Sequence, residues 1–182
     1  LLIIDGFDDI LSGKEIQYLS GAALIYEAGR LNDYFIRNKI NCKIIVLCRT
    51  ELFEKLPNAN KNKQRRDFAI DIDWYSDPSN PCDSELVNLV NMRAKLSDNS
   101  FSDISKCFVD THMNGKTIIH FLLDHTRHTP RDFIQLLNSL KKASRNDKLT
   151  RNEVLNGLAD YSQNYFLPEI KDEMVGYFPV DI

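Results

Sequence analysis

The sequence predicts an α/β fold in which a partial parallel sheet is followed by an all-α region. Two short runs of purely apolar residues, 1–4 and 44–47, are typical of parallel strands, because such strands are covered on both faces. The residues between them, from about 14 to 38, place apolar side chains at near-helical spacing. After Trp74 the strand pattern fades and helical patterns take over. Together these three observations predict strands before helices along the chain.

The strand-helix-strand order of the first part predicts a right-handed βαβ unit. The chain opens on Leu1 rather than Met, directly in an apolar strand that needs neighbouring strands to pair with. We therefore expect the chain to be the C-terminal part of a larger α/β domain. The alternation of Phe68, Ile70, Ile72 and Trp74 predicts a third, half-exposed strand near residues 68–72.

A proline-punctuated segment separates the two parts of the chain. Pro78 and Pro81 lie among small polar residues, which is typical of a boundary. We therefore predict a sheet-containing part over residues 1–80 and a helical part over residues 81–182. In the helical part, Thr129 is expected to cap a helix that begins at Pro130. A further helix is expected after Thr150, in a capping-box pattern with Glu153.

Composition excludes several classes of protein. The chain has 182 residues, a net charge of −3, 43% hydrophobic and 27% charged residues, which is enough apolar material for a core and argues against disorder. Its apolar runs are much shorter than the roughly 18–20 residues that cross a bilayer, so no membrane partner is expected. The four cysteines are far apart and form no CxxC pair, so we predict neither a disulfide framework nor a zinc knuckle, and a reducing cytoplasm as the location.

Acidic and basic side chains follow the two predicted strands. Asp5 comes directly after the first strand, and Asp8 and Asp9 lie in the loop beyond it. Ligands of α/β folds bind at the carboxyl ends of parallel strands, where one carboxylate can hold Mg²⁺ and a second can orient an attacking water. Arg49 follows the second strand, where a guanidinium could sense or stabilise a γ-phosphate. The competing interpretation is that the aspartates are ordinary loop residues or helix caps and that Arg49 is solvated and paired with Glu51.

A third candidate group lies at the start of a predicted helix in the all-α part. Arg131 follows Pro130 in the first turn, although a helix N-terminus favours acidic residues. A cation at that position therefore needs a function to explain it. The alternative is that Asp132 and Asp124 neutralise the charge.

These motifs resemble, in order, those of STAND-type P-loop ATPases, the signal-transduction relatives of AAA+ proteins. Residues 1–9 (LLIIDGFDD) resemble the Walker B strand, 43–49 (KIIVLCR) resemble the sensor 1 strand, and 128–137 (HTPRDFIQLL) are similar to the sensor 2 region of the lid. The resemblance implies a P-loop NTPase core followed by an all-α lid subdomain, with ATP and Mg²⁺ as cofactors. It implies a magnesium ligand at Asp5, a nucleotide-binding role for Pro130, and catalytic roles for Asp8, Asp9, Arg49 and Arg131.

The phosphate-binding loop of this family, G-x-x-x-x-G-K-[ST], is not found before the Walker B-like strand. Gly115-Lys116-Thr117 mimics its last residues, but Asp110 stands where the first glycine belongs, so Thr117 is better explained as the start of a helix. We therefore expect a fragment of a regulatory switch ATPase that is inactive by itself. Its expected partners are the upstream part of the ATPase core and other copies of the chain through self-association.

Three other functions are weighed against this one. His120, His125 and His128 do not share one helix face, which disfavours a metal site. The basic stretch 55–66 could contact nucleic acid, but a solvated loop explains it better in an acidic chain. A non-enzymatic helical interaction module with a degenerate ATPase core remains the alternative function, and a phosphate-binding loop upstream in the parent gene would decide between the two.

Overall fold

The computed structural model describes residues 1–6, 15–57 and 61–174 and divides the chain into two units. The first unit spans Leu1–Asp71, and the second begins at Ile72, upstream of the predicted boundary at residue 80.

The first unit is built on a parallel strand pair joined by one long helix. Strand β1 (Leu2–Ile4) is followed by helix α1 (Glu15–Arg37) and strand β2 (Ile44–Val46). The strands pair in parallel, with Leu2 opposite Ile44 and Ile4 opposite Val46. The prediction that these two apolar runs lie in parallel in one sheet is therefore confirmed.

A side chain of α1 closes the outer edge of β2. The Asn32 Oδ1 accepts a hydrogen bond of 2.8 Å from the Ile44 backbone N–H, and the Asn32 Nδ2 donates one of 2.8 Å to the Ile44 carbonyl. The amide thereby satisfies the two groups that a further strand would bind at Ile44. It also fixes the helix to the sheet through polar contacts, which add to apolar packing.

The predicted third strand is wrong. Phe68 ends a helix, α3 (Lys61–Phe68), and the residues that follow are not in a strand. Ile70 and Ile72 are 88% and 69% exposed, so the alternating pattern does not mark a half-buried strand here. The physical reason is that alternation alone forms no strand without a neighbour to supply hydrogen bonds, and this segment has none in the described part of the chain.

The described part of the basic stretch is mostly helical, with Lys55 in one helix and residues 61–66 in another, so its interpretation as a solvated loop is wrong for those residues. Helix α2 (Thr50–Lys55) precedes α3, and residues 58–60 lie outside the described ranges. Glu54 forms ion pairs with Lys61 at 3.0 Å and with Arg65 at 2.9 Å, and Arg65 also contacts Asp71 at 3.2 Å. These exposed pairs lower the pKa of Glu54, chiefly through the hydrogen bond and charge of Lys61.

The second unit is mostly helical, as predicted. Its helices are α4 (Glu85–Ser97), α5 (Ile118–Leu123), α6 (Pro130–Ala143), α7 (Arg151–Tyr161) and α8 (Leu167–Met174), with a π-helical turn over Ser162–Phe166 between the last two. Short 3₁₀ turns span Pro81–Asp83 and Ile104–Cys107. The prediction of an all-α region missed one small feature, an antiparallel hairpin of β3 (His112–Met113) and β4 (Lys116–Thr117).

One apolar core holds the second unit together. Its fully buried side chains come from four helices and include Leu86, Leu122, Phe133, Leu136 and Tyr161, each with no exposed area. Helices α6 and α7 approach closely at Gly157, where an added Cβ would lie 2.8 Å from the Leu140 Cα. Gly157 therefore allows a helix contact that any larger residue would prevent.

The predicted helix starts of this unit are confirmed. Thr129 accepts a hydrogen bond of 3.2 Å from the Asp132 N–H, with Pro130 in the first turn of α6. Thr150 and Glu153 form a complete capping box on α7. Thr117 caps α5 by accepting from the His120 N–H, which supports its interpretation as a helix start. Local side-chain chemistry was sufficient to predict all three.

Among the described residues, no helix is both long and apolar enough to cross a membrane. The cysteines all lie in the described ranges, and none of them forms a disulfide bond.

Candidate functional site

The end of the two-stranded sheet in the first unit carries two of the predicted site residues. Asp5 directly follows β1 and Arg49 follows β2 by three residues, so parallel pairing brings both to the same end of the sheet. Both residues are exposed. The predicted Asp8 and Asp9 lie outside the described residues.

The local backbone around Asp5 turns the chain sharply after the strand. Gly6 has a φ of 72°, a conformation that glycine adopts without the strain of a Cβ atom. The Asp5 Oδ1 accepts a hydrogen bond of 2.8 Å from the Gly6 N–H. The Asp5 side chain is exposed, and a carboxylate at this position could bind a cation.

Arg49 stands at the start of helix α2. Its carbonyl accepts the first hydrogen bond of the helix, from the Phe53 N–H at 2.9 Å, but its side chain does not cap the helix. The backbone of Arg49 thus belongs to a helix start. The guanidinium is exposed at the same end of the sheet as Asp5.

In the second unit, Pro130 and Arg131 form the first turn of α6. Arg131 is exposed and, among the described residues, forms no ion pair. The two acids nearest to it in the alternative interpretation have other partners. Asp132 is bound by Arg127, and Asp124 lies 2.6 Å from the Lys116 Nζ and 3.6 Å from the His120 Nε2. Among the described residues, neither acid forms an ion pair with Arg131, and the role of this cation stays a prediction.

Asp132, the residue that follows Arg131, belongs to a buried ionic network that the sequence analysis missed. Asp132 has no exposed area, and its Oδ2 accepts from the Arg127 Nε at 2.6 Å while its Oδ1 accepts from the Arg127 Nη2 at 2.8 Å. The Tyr165 hydroxyl donates to the same Oδ1 at 2.9 Å. Glu169 adds a longer contact of 3.4 Å to the Arg127 Nη2.

The network shifts the pKa of both Asp132 and Tyr165. Burial is the largest influence on Asp132 and raises its pKa, but the hydrogen bonds of Arg127 and Tyr165 with the charge of Arg127 outweigh it, so the pKa is lowered. Burial, and then the hydrogen bond to Asp132, raise the pKa of Tyr165 to about 12. The carboxylate is therefore ionised and the phenol neutral over the whole physiological range.

The connection between the last two helices brings Tyr165 to this network. The chain forms a π-helical turn over Ser162–Phe166, and such turns frequently occur at functional sites. The only sequence signal was the separation of Arg127 and Asp132 by a proline-containing helix start. Nothing in the sequence indicated a partner 33 residues further on.

The residue before the cap of α6 has an unusual conformation. His128 has a φ of 56°, in the left-handed region, and its ring lies 4.3 Å from the Tyr75 ring between centroids. The His128 Nε2 and the Tyr75 hydroxyl are buried and have no hydrogen-bond partner among the described residues. Burial, with smaller effects from Asp124 and Asp77, raises the pKa of Tyr75.

The three histidines that the sequence analysis disfavours as metal ligands each contact different neighbours. His120 lies beside Asp124, the His125 ring is 2.7 Å from the Phe121 carbonyl through Nδ1, and His128 packs on Tyr75. The described part of the chain contains no group of three or more metal-ligating side chains.

The segment that mimics a phosphate-binding loop is a hairpin. Gly115 has a φ of 79° in the turn between β3 and β4, and Lys116 extends to Asp124. The lysine is therefore engaged with a carboxylate of its own unit. This geometry agrees with the rejection of the segment as a phosphate-binding loop.

Comparison with known proteins finds one likeness. Residues 84–167 match the family model described as the FunZ-associated C-terminal helical domain. No curated protein and no solved structure matches the chain. The match begins at the cap of α4 and ends after the π-helical turn, so it contains Arg131 and the buried Arg127–Asp132–Tyr165 network. Over these residues, the second unit is similar to that helical domain.

Proposed function

We propose that this chain belongs to an ATP-binding and ATP-hydrolysing regulatory switch of the STAND type, to which it supplies the later part of the P-loop NTPase core and the helical lid. The observation that carries the proposal is the parallel β1–α1–β2 unit, because it delivers an acid and an arginine at one sheet end. In open α/β sheets, ligands bind outside the carboxyl ends of the strands.

The residues at this sheet end suit a magnesium nucleotide. Asp5 has an exposed carboxylate, and carboxylate oxygens are preferred ligands of Mg²⁺. When bound, ATP would supply the phosphoryl group, and Mg²⁺ would neutralise the negative charge of its phosphates. Asp8 or Asp9 would then orient the attacking water, and Arg49 would contact the γ-phosphate.

The lid would contribute a second cation. Pro130 and the Thr129 cap fix the first turn of α6, and the buried Asp132 holds that turn to Arg127. Arg131 is thus presented to solvent from a rigid helix start. A cation brought in by lid closure stabilises mainly the transition state, because it contacts the nucleotide only in the closed form.

Exposure of the strands supports the idea that this sheet is part of a larger one. Leu2 and Ile3 of β1 are 52% and 55% exposed, although parallel sheets are covered on both faces. A parallel pair of two strands buries too little apolar surface to be stable alone. Helices of a nucleotide-binding core, with strands added beside β1, would bury these side chains, because Asn32 already occupies the outer edge of β2 at Ile44.

The proposal is tested by titrating ATP, with and without Mg²⁺, into the protein in which this chain follows a G-x-x-x-x-G-K-[ST] loop. We expect Asp5→Asn to remove most of the gain in affinity that Mg²⁺ provides. The exposed Asp110 provides a matched control, and Asp110→Asn should bind as the parent does. Equal magnesium dependence in Asp5→Asn and the parent would contradict the proposed role of Asp5.

The alternative function is a non-enzymatic helical interaction module that keeps a degenerate ATPase core. One observation favours it: the family match lies within the helical unit, over residues 84–167, and this unit has a continuous buried core of its own. In that case, the protein with the upstream sequence would neither bind MgATP nor hydrolyse it.

A further inference from the structure

A basic surface of the second unit is not used by the proposed ATPase function. Residues 141–153 carry five basic side chains and two acidic ones, a net charge of +3, whereas the rest of the chain carries 18 basic and 24 acidic residues. We call this stretch, which runs from the last turn of α6 to the first turn of α7, the basic loop. Its cations are Lys141, Lys142, Arg145, Lys148 and Arg151, and all five are exposed.

Helix electrostatics accounts for only part of this charge. Lys141 and Lys142 lie in the last turn of α6, where the helix dipole favours cations. Arg145 and Lys148 lie beyond that helix, and Arg151 starts α7, where the dipole disfavours a cation. Among the described residues, none of the five forms an ion pair, although the Arg151 Nη2 donates to the Asn114 Oδ1 at 3.2 Å. The positive charge is therefore available to an external anion.

The basic loop is held in place by backbone hydrogen bonds. The Leu149 N–H donates to the Cys107 carbonyl at 2.8 Å, and the Leu149 carbonyl accepts from the Val109 N–H at 2.9 Å. The Arg145 N–H donates to the Glu153 Oε1 at 2.9 Å. Because the loop is ordered in advance, an anion would not have to fix it on binding, which lowers the entropic cost of recognition.

Polar side chains surround a depression between the loop and the helix that follows it. The depression has a volume of about 420 Å³, and its lining includes Lys142, Arg145, Asn146, Asn152 and Asn156. The acid in its wall, Glu153, is 8% exposed and already accepts hydrogen bonds from Thr150 and Arg145. The polar groups of the lining thus include cations and amides, which donate hydrogen bonds to phosphate oxygens.

The exposed face of α7 extends this surface. Asn152 and Asn156 are one turn apart and exposed, and Leu155 between them is 46% exposed. Asparagine amides can bind base edges, and an apolar side chain can contact the thymine methyl group. A helix with this face and flanking cations has the width and chemistry to enter the major groove of B-form DNA.

We propose that the basic loop and the exposed face of α7 bind duplex DNA through its phosphates. Double-stranded RNA is a poorer fit, because its deep and narrow major groove does not admit a helix. An anionic lipid surface is also a poorer fit, because only Leu155 on this face could insert into it. The proposal is independent of the ATPase proposal, since it rests on the second unit alone.

The test measures binding of the 182-residue chain to a labelled duplex DNA of about two helical turns by fluorescence anisotropy over a range of salt concentrations. The expected dissociation constant is in the range of about 10⁻⁴ to 10⁻⁶ M, and affinity should fall as salt rises. The variant K142Q/R145Q/K148Q should bind at least about tenfold more weakly, with a salt dependence flatter by about 2.7 in log–log slope. The control R93Q/K95Q/K171Q removes the same charge from exposed positions on α4 and α8 and should bind nearly as the parent does.

Each other outcome would overturn the proposal. Failure of the chain to bind the duplex at low salt would refute it. An equal loss of DNA affinity in the two triple variants would also refute it, because it would indicate attraction by net charge alone. Tighter binding to an RNA duplex of the same sequence, or to vesicles containing phosphatidylserine, would assign the surface to a different partner.

Discussion

The substitution Asp132→Asn tests the buried network that holds the start of α6. The two carboxylate oxygens of Asp132 accept four hydrogen bonds, three from Arg127 and one from Tyr165. Asparagine has one acceptor oxygen in place of two and brings an amide donor of its own. At least one face of the Arg127 guanidinium would therefore meet a donor instead of an acceptor, in a site where Asp132 has no exposed area.

The magnitude follows from the charges involved. Breaking a buried ion pair by removing one partner costs about 3–5 kcal/mol, because the remaining charge is left uncompensated. The Arg127 side chain is 24% exposed and keeps its 3.4 Å contact to Glu169, so part of this cost is offset and the lower end of the range, about 3 kcal/mol, applies. If the free energy of unfolding falls by roughly 2 kcal/mol per molar urea, the urea concentration at the unfolding midpoint should fall by about 1.5 M.

Urea unfolding followed by tryptophan fluorescence is the suitable assay. Trp74 is the only tryptophan of the chain and packs against the core of the second unit, so its emission reports on that unit. The exposed Asp110→Asn serves as the control and should shift the midpoint little. A shift in Asp132→Asn no larger than that of the control would refute the reasoning that this pair stabilises the fold.

The same pair predicts a pH dependence of stability with a definite sign. The pKa of Asp132 is lowered from its ordinary value of 3.8, so the stabilisation is present above that value and is lost as pH falls below it. Acid unfolding of the parent should therefore be steeper below about pH 4 than that of Asp132→Asn. Equal acid sensitivity would mean that other carboxylates dominate.

Three further substitutions test separate contacts. Gly157→Ala places a Cβ 2.7 Å from the Leu140 Cδ2 and should lower the melting temperature by roughly 10 °C, a cost of about 2 kcal/mol, whereas Gly29→Ala meets only ordinary contacts and should not destabilise. Asn32→Ala removes both hydrogen bonds to the edge of β2 and should accelerate amide exchange there, and unchanged exchange would count against the edge-closing role. Tyr165→Phe should lower the free energy of unfolding by about 1–2 kcal/mol. The parent should lose stability as pH rises from about 10 to about 12, where the Tyr165 phenol ionises, and the variant should not show this loss. An alkaline unfolding curve that is the same in both proteins would contradict this account.

The parts of the fold that could be predicted from sequence depend on local signals. The parallel strand pair followed from two apolar runs separated by a helical pattern, and the caps at Thr117, Thr129 and Thr150 followed from hydroxyl side chains placed before apolar periodicity. Each of these signals lies within one element or its neighbours. The interactions behind these signals, hydrophobic burial and helix capping, depend on residues that lie close together in the sequence.

The parts that could not be predicted depend on contacts between distant residues. The alternation near Phe68 has the period of a strand, but its end becomes helix α3 and the described residues offer it no strand partner. Tyr165 lies in a π-helical turn and bonds to Asp132 across 33 residues, a contact that no local sequence pattern predicts. For the candidate site, the roles of Asp5, Arg49 and Arg131 stay predictions. The sequence offered Asp132 only as an alternative neutralising partner of Arg131, and the structure pairs it with Arg127.

The most direct test of the central claim is the rate of ATP hydrolysis by the protein in which this chain follows a phosphate-binding loop. The account predicts magnesium-dependent hydrolysis that Asp8→Asn, Asp9→Asn and Arg131→Ala each slow, the last on the order of 10³-fold by analogy with arginine fingers. Arg93→Ala, an exposed arginine of α4, should hydrolyse ATP at the parent's rate. A near-normal rate in Arg131→Ala would remove that residue from the site, and hydrolysis by the 182-residue chain alone, which has no such loop sequence, would contradict the account as a whole.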